Sequence, residues 1–214
     1  KTAYEIYQCD WSSDVCSSDL HPVVWIGHVI GTAERMLNRT TWPGRRRKIA
    51  GICTVVGIVV LVGVVGLAVA RLGTIATVLA ATLGLAQRSL HDHVAAVDHA
   101  LKAGDIASAR AAVGQIVGRD TEILDDSGVA AAALESLAES FNDGVIAPLV
   151  WLLLAGLPGL FIYKTINTAD SMIGHKEPRW LDFGWAAART DDVLNYVPAR
   201  IAGALIAQIG RAHV

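Results

Sequence analysis

The sequence predicts an all-α, multi-span integral membrane protein with a helical insertion facing the cytoplasm. Three observations predict it. Hydrophobic residues make up 53% of the 214-residue chain, and mean hydropathy is positive at +0.43. They are gathered in uncharged runs of span length rather than spread at core spacing. A basic cluster, Arg45, Arg46, Arg47 and Lys48, stands directly before the first long run, which by the positive-inside rule places that end in the cytoplasm.

Taken in order, 21–39 is apolar and then amphipathic, the pattern of a helix near the membrane surface, and the TTWPG segment at 40–44 breaks it. The run 49–70 holds 22 residues without a charge, enough to span. Arg71 interrupts, and 72–86 is apolar again. Two arrangements fit: one span with an amphipathic continuation, or a tight hairpin of two short spans with Arg71 near the turn. The hairpin is preferred because it returns Arg88 and the polar stretch after it to the side of the basic cluster. The stretch 89–141 is rich in alanine, leucine and charge at helical spacing. Within it, Lys102-Ala103-Gly104-Asp105 reads as a helix stop followed by an N-cap, 125–128 as a turn, and 129–140 as a further helix. The apolar run 145–163 contains Pro148 and Gly156-Leu157-Pro158-Gly159, so a broken or re-entrant segment is expected rather than a straight span. A last apolar segment begins near 196 and reaches 207.

The two ends read differently. Residues 14–20, DVCSSDL, can be encoded by a DNA stretch whose reverse complement translates as QIGRAHV, the sequence of residues 208–214. Complementarity of that length points to a translated sequencing adapter at both ends. The natural polypeptide is therefore expected within 21–207, as a fragment of a membrane synthase domain, with 1–20 and 208–214 set aside. Cys53 is then the one remaining cysteine, which leaves neither a disulfide framework nor a zinc pattern. Acidic and basic residues balance between 21 and 208, so bulk charge gives no argument for a nucleic-acid partner. Phosphate-loop, dinucleotide-fingerprint, HExxH and nucleophile-elbow motifs are absent.

Polar residues crowd both ends of the run 145–163. Glu135 and Glu139 are four apart on one helical face, with Asn142 and Asp143 one turn on. Oxygen ligands of this kind suit Mg²⁺; a solvated helix face or an N-cap at Asp143 is the plainer account. Beyond the run come Lys164, Asn167, Asp170 and Ser171. Lys164 suits an anionic group, or else snorkels to the membrane boundary. Arg189, Asp191, Asp192 and Asn195 come next, as a substrate or second-metal group or as a helix-start carboxylate pair with a local arginine. His91, Asp92, His93 and His99 are poorly spaced for a shared metal.

The blocks HPVVWIGHVIG (21–31), IVGRDT (116–121), AESFNDGVIAPLVW (138–151), YKTINTADSMIG (163–174) and FGWAAARTDDVLNYVPAR (183–200) resemble the adenosylcobinamide-phosphate synthase family of cobalamin biosynthesis. The resemblance runs through essentially all of 21–207. It departs from the family at Ser140, Ala131 and His175, where asparagine, arginine and tyrosine are usual. It implies a multi-pass protein of the bacterial cytoplasmic membrane. The implied activity is ATP-dependent amide formation between adenosylcobyric acid and aminopropanol or its phosphate, with Mg²⁺. The partners would be a corrinoid substrate, a small amine and the lipid bilayer. On that basis Glu139, Asp143, Lys164, Asp170 and Asp191 are the candidate catalytic residues. Arg119, Asn142, Asn167, Ser171, Arg189 and Asn195 would bind substrate, and Glu135, Glu139 and Asp143 the metal. A non-catalytic membrane sensor is the rival reading, though it needs no dense polar block at 163–174. A transporter would show paired repeats, which the sequence lacks.

Overall fold

The structure, a computed structural model, describes residues 22–85, 88–117 and 120–212. Among these every regular element is helical: α1 (Pro22–Leu37), α2 (Gly44–Ala70), α3 (Thr74–Gly84), α4 (Arg88–Lys102), α5 (Ile106–Val113), α6 (Asp126–Phe141), a π-helical turn (Asn142–Ile146), α7 (Ala147–Ile173), α8 (Trp185–Asn195) and α9 (Pro198–Ala212).

Two stretches are long and apolar enough to cross a membrane, Gly44–Ala70 and Asp126–Ile173. The first is α2, whose 27 residues extend about 40 Å at 1.5 Å per residue, more than a hydrocarbon core needs. Only 22% of its most apolar window is buried. Val56, Val60, Leu61 and Val64 lie exposed along it, an outward apolar face suited to lipid.

The second stretch doubles back. Gly156 sits at φ 65° and ψ −158°, a conformation open almost solely to glycine. Pro158, two residues on, supplies no N–H to continue the ladder. A Cβ on Gly159 would fall 2.7 Å from Ala155 Cβ and against the Trp151 carbonyl, although eight residues of straight helix advance about 12 Å. α7 is therefore a hairpin with an outgoing arm before Gly156 and a returning arm after it. The returning arm packs along α2: Ile162, Ile166, Ala169 and Ile173 cluster with Val55, Ile58 and Val59, joined by Ile30 of α1 and Phe183. At the tip, Leu157 and Leu160 meet Ala81 of α3 and Val69 of α2. α3 has 11 residues, about 16 Å, roughly half a bilayer core. It caps the hairpin tip and does not have the length of a span.

Helices α4 to α6 form a second cluster around Val97, Ala109, Val113, Val129, Ala132 and Ala133. Asp105 caps α5, its Oδ1 accepting the Ser108 N–H at 3.0 Å. Residues 125–128, expected as a turn, are instead the start of α6. There Asp125 Oδ1 accepts the Gly128 N–H at 2.8 Å, the same capping chemistry used to begin a helix.

A polar clamp joins α1, the foot of α2 and the segment before α8. Buried Glu34 accepts from Arg179 Nε and Nη2, both at 3.1 Å, and from Asn38 Nδ2 at 3.0 Å. Asn38 Oδ1 in turn accepts from Arg47 Nε at 2.8 Å, and Arg47 also donates to the carbonyls of Pro178 and Arg179. Arg47 is only 8% exposed. One member of the basic cluster is thus a structural residue, while Arg45 and Arg46 remain exposed. Arg47→Met should lower stability by about 3 kcal/mol, since removing one partner strands a buried acceptor network. Arg45→Met should change it by less than about 0.5 kcal/mol. Thermal unfolding of the two variants in detergent checks the contrast.

Candidate functional site

The site forms where the two arms of the α7 hairpin open. α6 passes without interruption into the π-helical turn, a geometry with one extra residue per turn that recurs at functional sites. Asn142 there is buried and Asp143 half-buried. On the returning arm, residues 163–169 are all buried. Tyr163 and Asn167 are four apart and share a face, and that face meets Asp143. Asn167 Nδ2 donates to Asp143 Oδ2 at 3.0 Å. The Tyr163 hydroxyl lies 3.3 Å from Asp143 Oδ1 and 3.0 Å from Asn195 Oδ1. Asn142 Nδ2 donates to Asp143 Oδ1 at 2.7 Å and to Asn195 Oδ1 at 2.8 Å. Asn195 Nδ2 then donates to Asp191 Oδ2 at 2.9 Å. α8 is held to the outgoing arm by Trp151, whose Nε1 donates to the Leu194 carbonyl at 3.1 Å. Residues 20 or more apart in sequence thus close into one network.

Charge in the site is mostly negative. Glu139 is within Coulomb range of Asp143, Glu135 and Asp170. Lys164 is 7% exposed and sits within range of Asp143 and Asp191; it is an interior cation, not a snorkelling anchor. Burial, with Asp170 and Asp143 nearby, pushes the Asp191 carboxyl up to about 7, against the opposing hydrogen bonds of Asn195 and Asn167. An acid raised in the fold keeps its proton where the unfolded chain has already lost it. The contribution of Asp191 to stability therefore falls as pH rises from about 4, the unfolded value, through about 7, and then levels off. Asp191→Asn should remove this contribution: relative to the parent it should unfold at a higher temperature at pH 8 and at about the same temperature at pH 4. Melting curves at the two pH values test it.

The CobD/Cbib protein family model matches residues 9–213. The chain belongs to this family. The cobalamin biosynthesis protein CobD of Rhodobacter capsulatus is 48% identical to it over 193 residues, covering 87% of this chain and 60% of that relative. The proteins of the same name from Brucella melitensis and Sinorhizobium fredii are 47% and 46% identical over 194 residues, each covering 87% of this chain and 59% of the relative. The chain thus spans about three-fifths of the length of these relatives. No solved structure matches.

Within this CobD/Cbib chain, the structure brings Asn142, Asp143, Asn167, Asp191 and Asn195 into one hydrogen-bonded network. Lys164, Asp170 and Glu139 stand around it. Ser171 turns its hydroxyl to the Asn167 carbonyl at 2.9 Å, which fixes the local helix. Glu135 and Glu139 are exposed on α6. Arg189 is exposed and pairs with Asp192 at 3.5 Å on the surface of α8. Arg119, His91 and His93 lie outside the residues described at side-chain level. Tyr163 and Trp151 are site residues that sequence reasoning missed. The signal for Tyr163 was its four-residue spacing from Asn167; Trp151 carried none, because its partner is a backbone carbonyl.

No three histidine, cysteine, aspartate or glutamate residues among those described are grouped to hold a metal ion by themselves. Glu135, Glu139 and Asp143 therefore do not make a ready-formed three-carboxylate centre. The donors facing the network are oxygens, and two of them, Asn142 Oδ1 and Asp191 Oδ1, are buried without a hydrogen-bond partner. One or two carboxylates with open oxygens fit a Mg²⁺ ion that keeps most of its ligands as water and phosphate.

Proposed function

We propose that the intact protein is a membrane-embedded enzyme of cobalamin biosynthesis. In this reading it forms an amide bond between a carboxyl group of adenosylcobyric acid and the amine of aminopropanol or its phosphate. The observation that carries it is the meeting of Asp143, Asn167 and Asp191 at the mouth of the hairpin. Relatives sharing nearly half their residues with this chain are named cobalamin biosynthesis proteins. A cluster of polar side chains set between apolar helices is costly to build and is ordinarily kept for a substrate.

The residues have distinct work in such a reaction. Asp143 and Glu139 would hold Mg²⁺ through oxygen ligands. ATP would supply the free energy that activates the carboxyl group. Lys164, buried beside Asp143 and Asp191, offsets negative charge gathered there by phosphate or carboxylate. Asn142 and Asn195, with Tyr163, fix the Asp143 and Asp191 carboxylates so that little reorganisation accompanies substrate arrival. The setting would be the bacterial cytoplasmic membrane, with α2 as a span and the α7 hairpin as a re-entrant element beside it. The test is genetic: the full-length gene, introduced into a bacterium lacking its own adenosylcobinamide-phosphate synthase, should restore corrinoid-dependent growth. Absence of growth with the protein present in the membrane refutes the reading.

A further inference from the structure

We infer that the turn 39–46, at the foot of α2, is a headgroup site for an anionic phospholipid. The inference rests on the proposed reading in one respect, that α2 is a membrane span.

The turn is held at both ends. Asn38, just before it, is buried and accepts from Arg47 Nε at 2.8 Å. Arg47, just after it, is tied to the Pro178 and Arg179 carbonyls. Between them the Trp42 N–H donates to the Arg39 carbonyl at 3.0 Å. Two cations share the Trp42 ring: the Arg46 guanidinium carbon is 3.8 Å from its centroid, and that of Arg39 is 5.8 Å from it. They stand no further apart than these two distances laid end to end, within reach of one phosphodiester headgroup. Stacking on a ring uses the flat side of a guanidinium and leaves its N–H edge to bind oxygen. Arg45 lies exposed beside them, and Lys48 Nζ is 3.6 Å from the Trp185 ring centroid. None of Arg39, Arg45, Arg46 and Lys48 forms an ion pair with a described residue. One carboxylate, Asp182, stands at the first turn of α2, where a Cβ on Gly44 would meet its Oδ2. Four cations against it leave the turn positive.

The face below the turn selects the ligand. Ile49, Ile52, Val56 and Val60 are exposed and follow Arg45 at steps of three and four residues, on one side of α2. Ile49 to Val60 covers about 16 Å of rise, close to one leaflet of a core of about 30 Å. A phosphate at the turn and an acyl chain along this strip belong to one molecule. A free phosphate or a nucleotide engages the cations and leaves the strip bare. A zwitterionic lipid covers the strip but brings an ammonium to a cluster that is already positive. A lipid of net negative charge satisfies both parts.

The test titrates the full-length protein, in a neutral detergent, with phosphatidylglycerol and with phosphatidylcholine of the same acyl chains, and reads bound lipid by native mass spectrometry. Phosphatidylglycerol should bind at least about tenfold more tightly, and glycerol 3-phosphate at equal concentration should not displace it. Arg39→Gln and Arg46→Gln together should weaken it about tenfold or more. Trp42→Leu keeps every charge and removes the ring, and should weaken it about fivefold. Lys102→Gln, which removes a cation paired with Asp98 on α4, should change nothing. Melting curves show that each variant is folded. The proposal is overturned by equal binding of the two lipids, by displacement with glycerol 3-phosphate, by unchanged affinity in the folded double variant or in folded Trp42→Leu, or by an equal loss in Lys102→Gln. Growth restoration separates the two claims. A gene that complements while its protein does not distinguish the lipids sinks the lipid site alone. Lipid binding with the predicted losses, in a gene that fails to complement, sinks the amidation reading alone.

Discussion

Asp143→Ala in the full-length protein should abolish cobinamide synthesis and lower stability as well. Its carboxylate is the acceptor at the centre of the site, taking Asn142 Nδ2 at 2.7 Å and Asn167 Nδ2 at 3.0 Å, with the Tyr163 hydroxyl at 3.3 Å. Alanine removes both acceptor oxygens and strands donors on the π-helical turn and the returning arm together. Unmet buried donors cost about 1–3 kcal/mol each, so a loss of about 2–5 kcal/mol is expected. Asp143→Asn separates structure from chemistry. It retains one acceptor oxygen and the shape, so stability should recover in large part while synthesis stays below about 1% of the parent, as expected for a lost charged ligand. Product analysis by chromatography of corrinoids, beside thermal unfolding, reads both effects. Normal cobinamide synthesis by Asp143→Ala removes this residue from the chemistry altogether.

Gly156→Val should be the most damaging change outside the polar network. The space around the residue is open, since a Cβ placed there would meet only Pro158 Cδ, at 3.7 Å, so the obstacle is conformational. φ of 65° with ψ of −158° is closed to a β-branched side chain. The strain is worth about 1–3 kcal/mol if the turn holds. If the turn opens, Asn167 and Tyr163 leave Asp143 and the site is lost. Gly156→Ala should fall between parent and valine. A pair of spin labels on α6 and at the C-terminal end of α7 would report the distance between the arms: the parent gives one short separation, and the valine variant a longer or broadened one. An unchanged distance and melting temperature in Gly156→Val would mean that the turn does not depend on glycine.

The helical class and the long run 49–70 were legible because apolar residues without charges can be read off in order, and α2 contains that run. Gly156 and Pro158 were legible as a place where a helix is interrupted, because each acts through its own backbone. The acidic and amide residues of the site were visible as unusual density beside an apolar run. Partnership was not legible. Arg47 read as one of four interface charges, yet it is buried because Asn38 and the Pro178 and Arg179 carbonyls, the latter two far away in the chain, surround it. Tyr163 read as the end of an apolar segment, and its role comes from Asp143 across the hairpin. The π-helical turn at Asn142–Ile146 has no local motif, since one extra residue per turn is selected by the surface the helix packs against. Arg189 shows the opposite case: the resemblance makes it a substrate-binding residue, and in the structure it stands exposed on α8 beside Asp192, the local pair that the residues alone also allowed.

The reversal at Gly156 also constrains which way matter can flow in the proposed membrane setting. Both open ends of the hairpin, at Asp143 and beyond Asn167, lie on the same side of its tip. On the proposed function, reactants and product would exchange with a single aqueous compartment, and no charged group would have to be carried through the lipid. A membrane voltage, worth about 2.3 kcal/mol per charge per 100 mV when a charge crosses, would do no work on such a reaction, which would run on chemical free energy alone and proceed equally well in sealed or leaky vesicles.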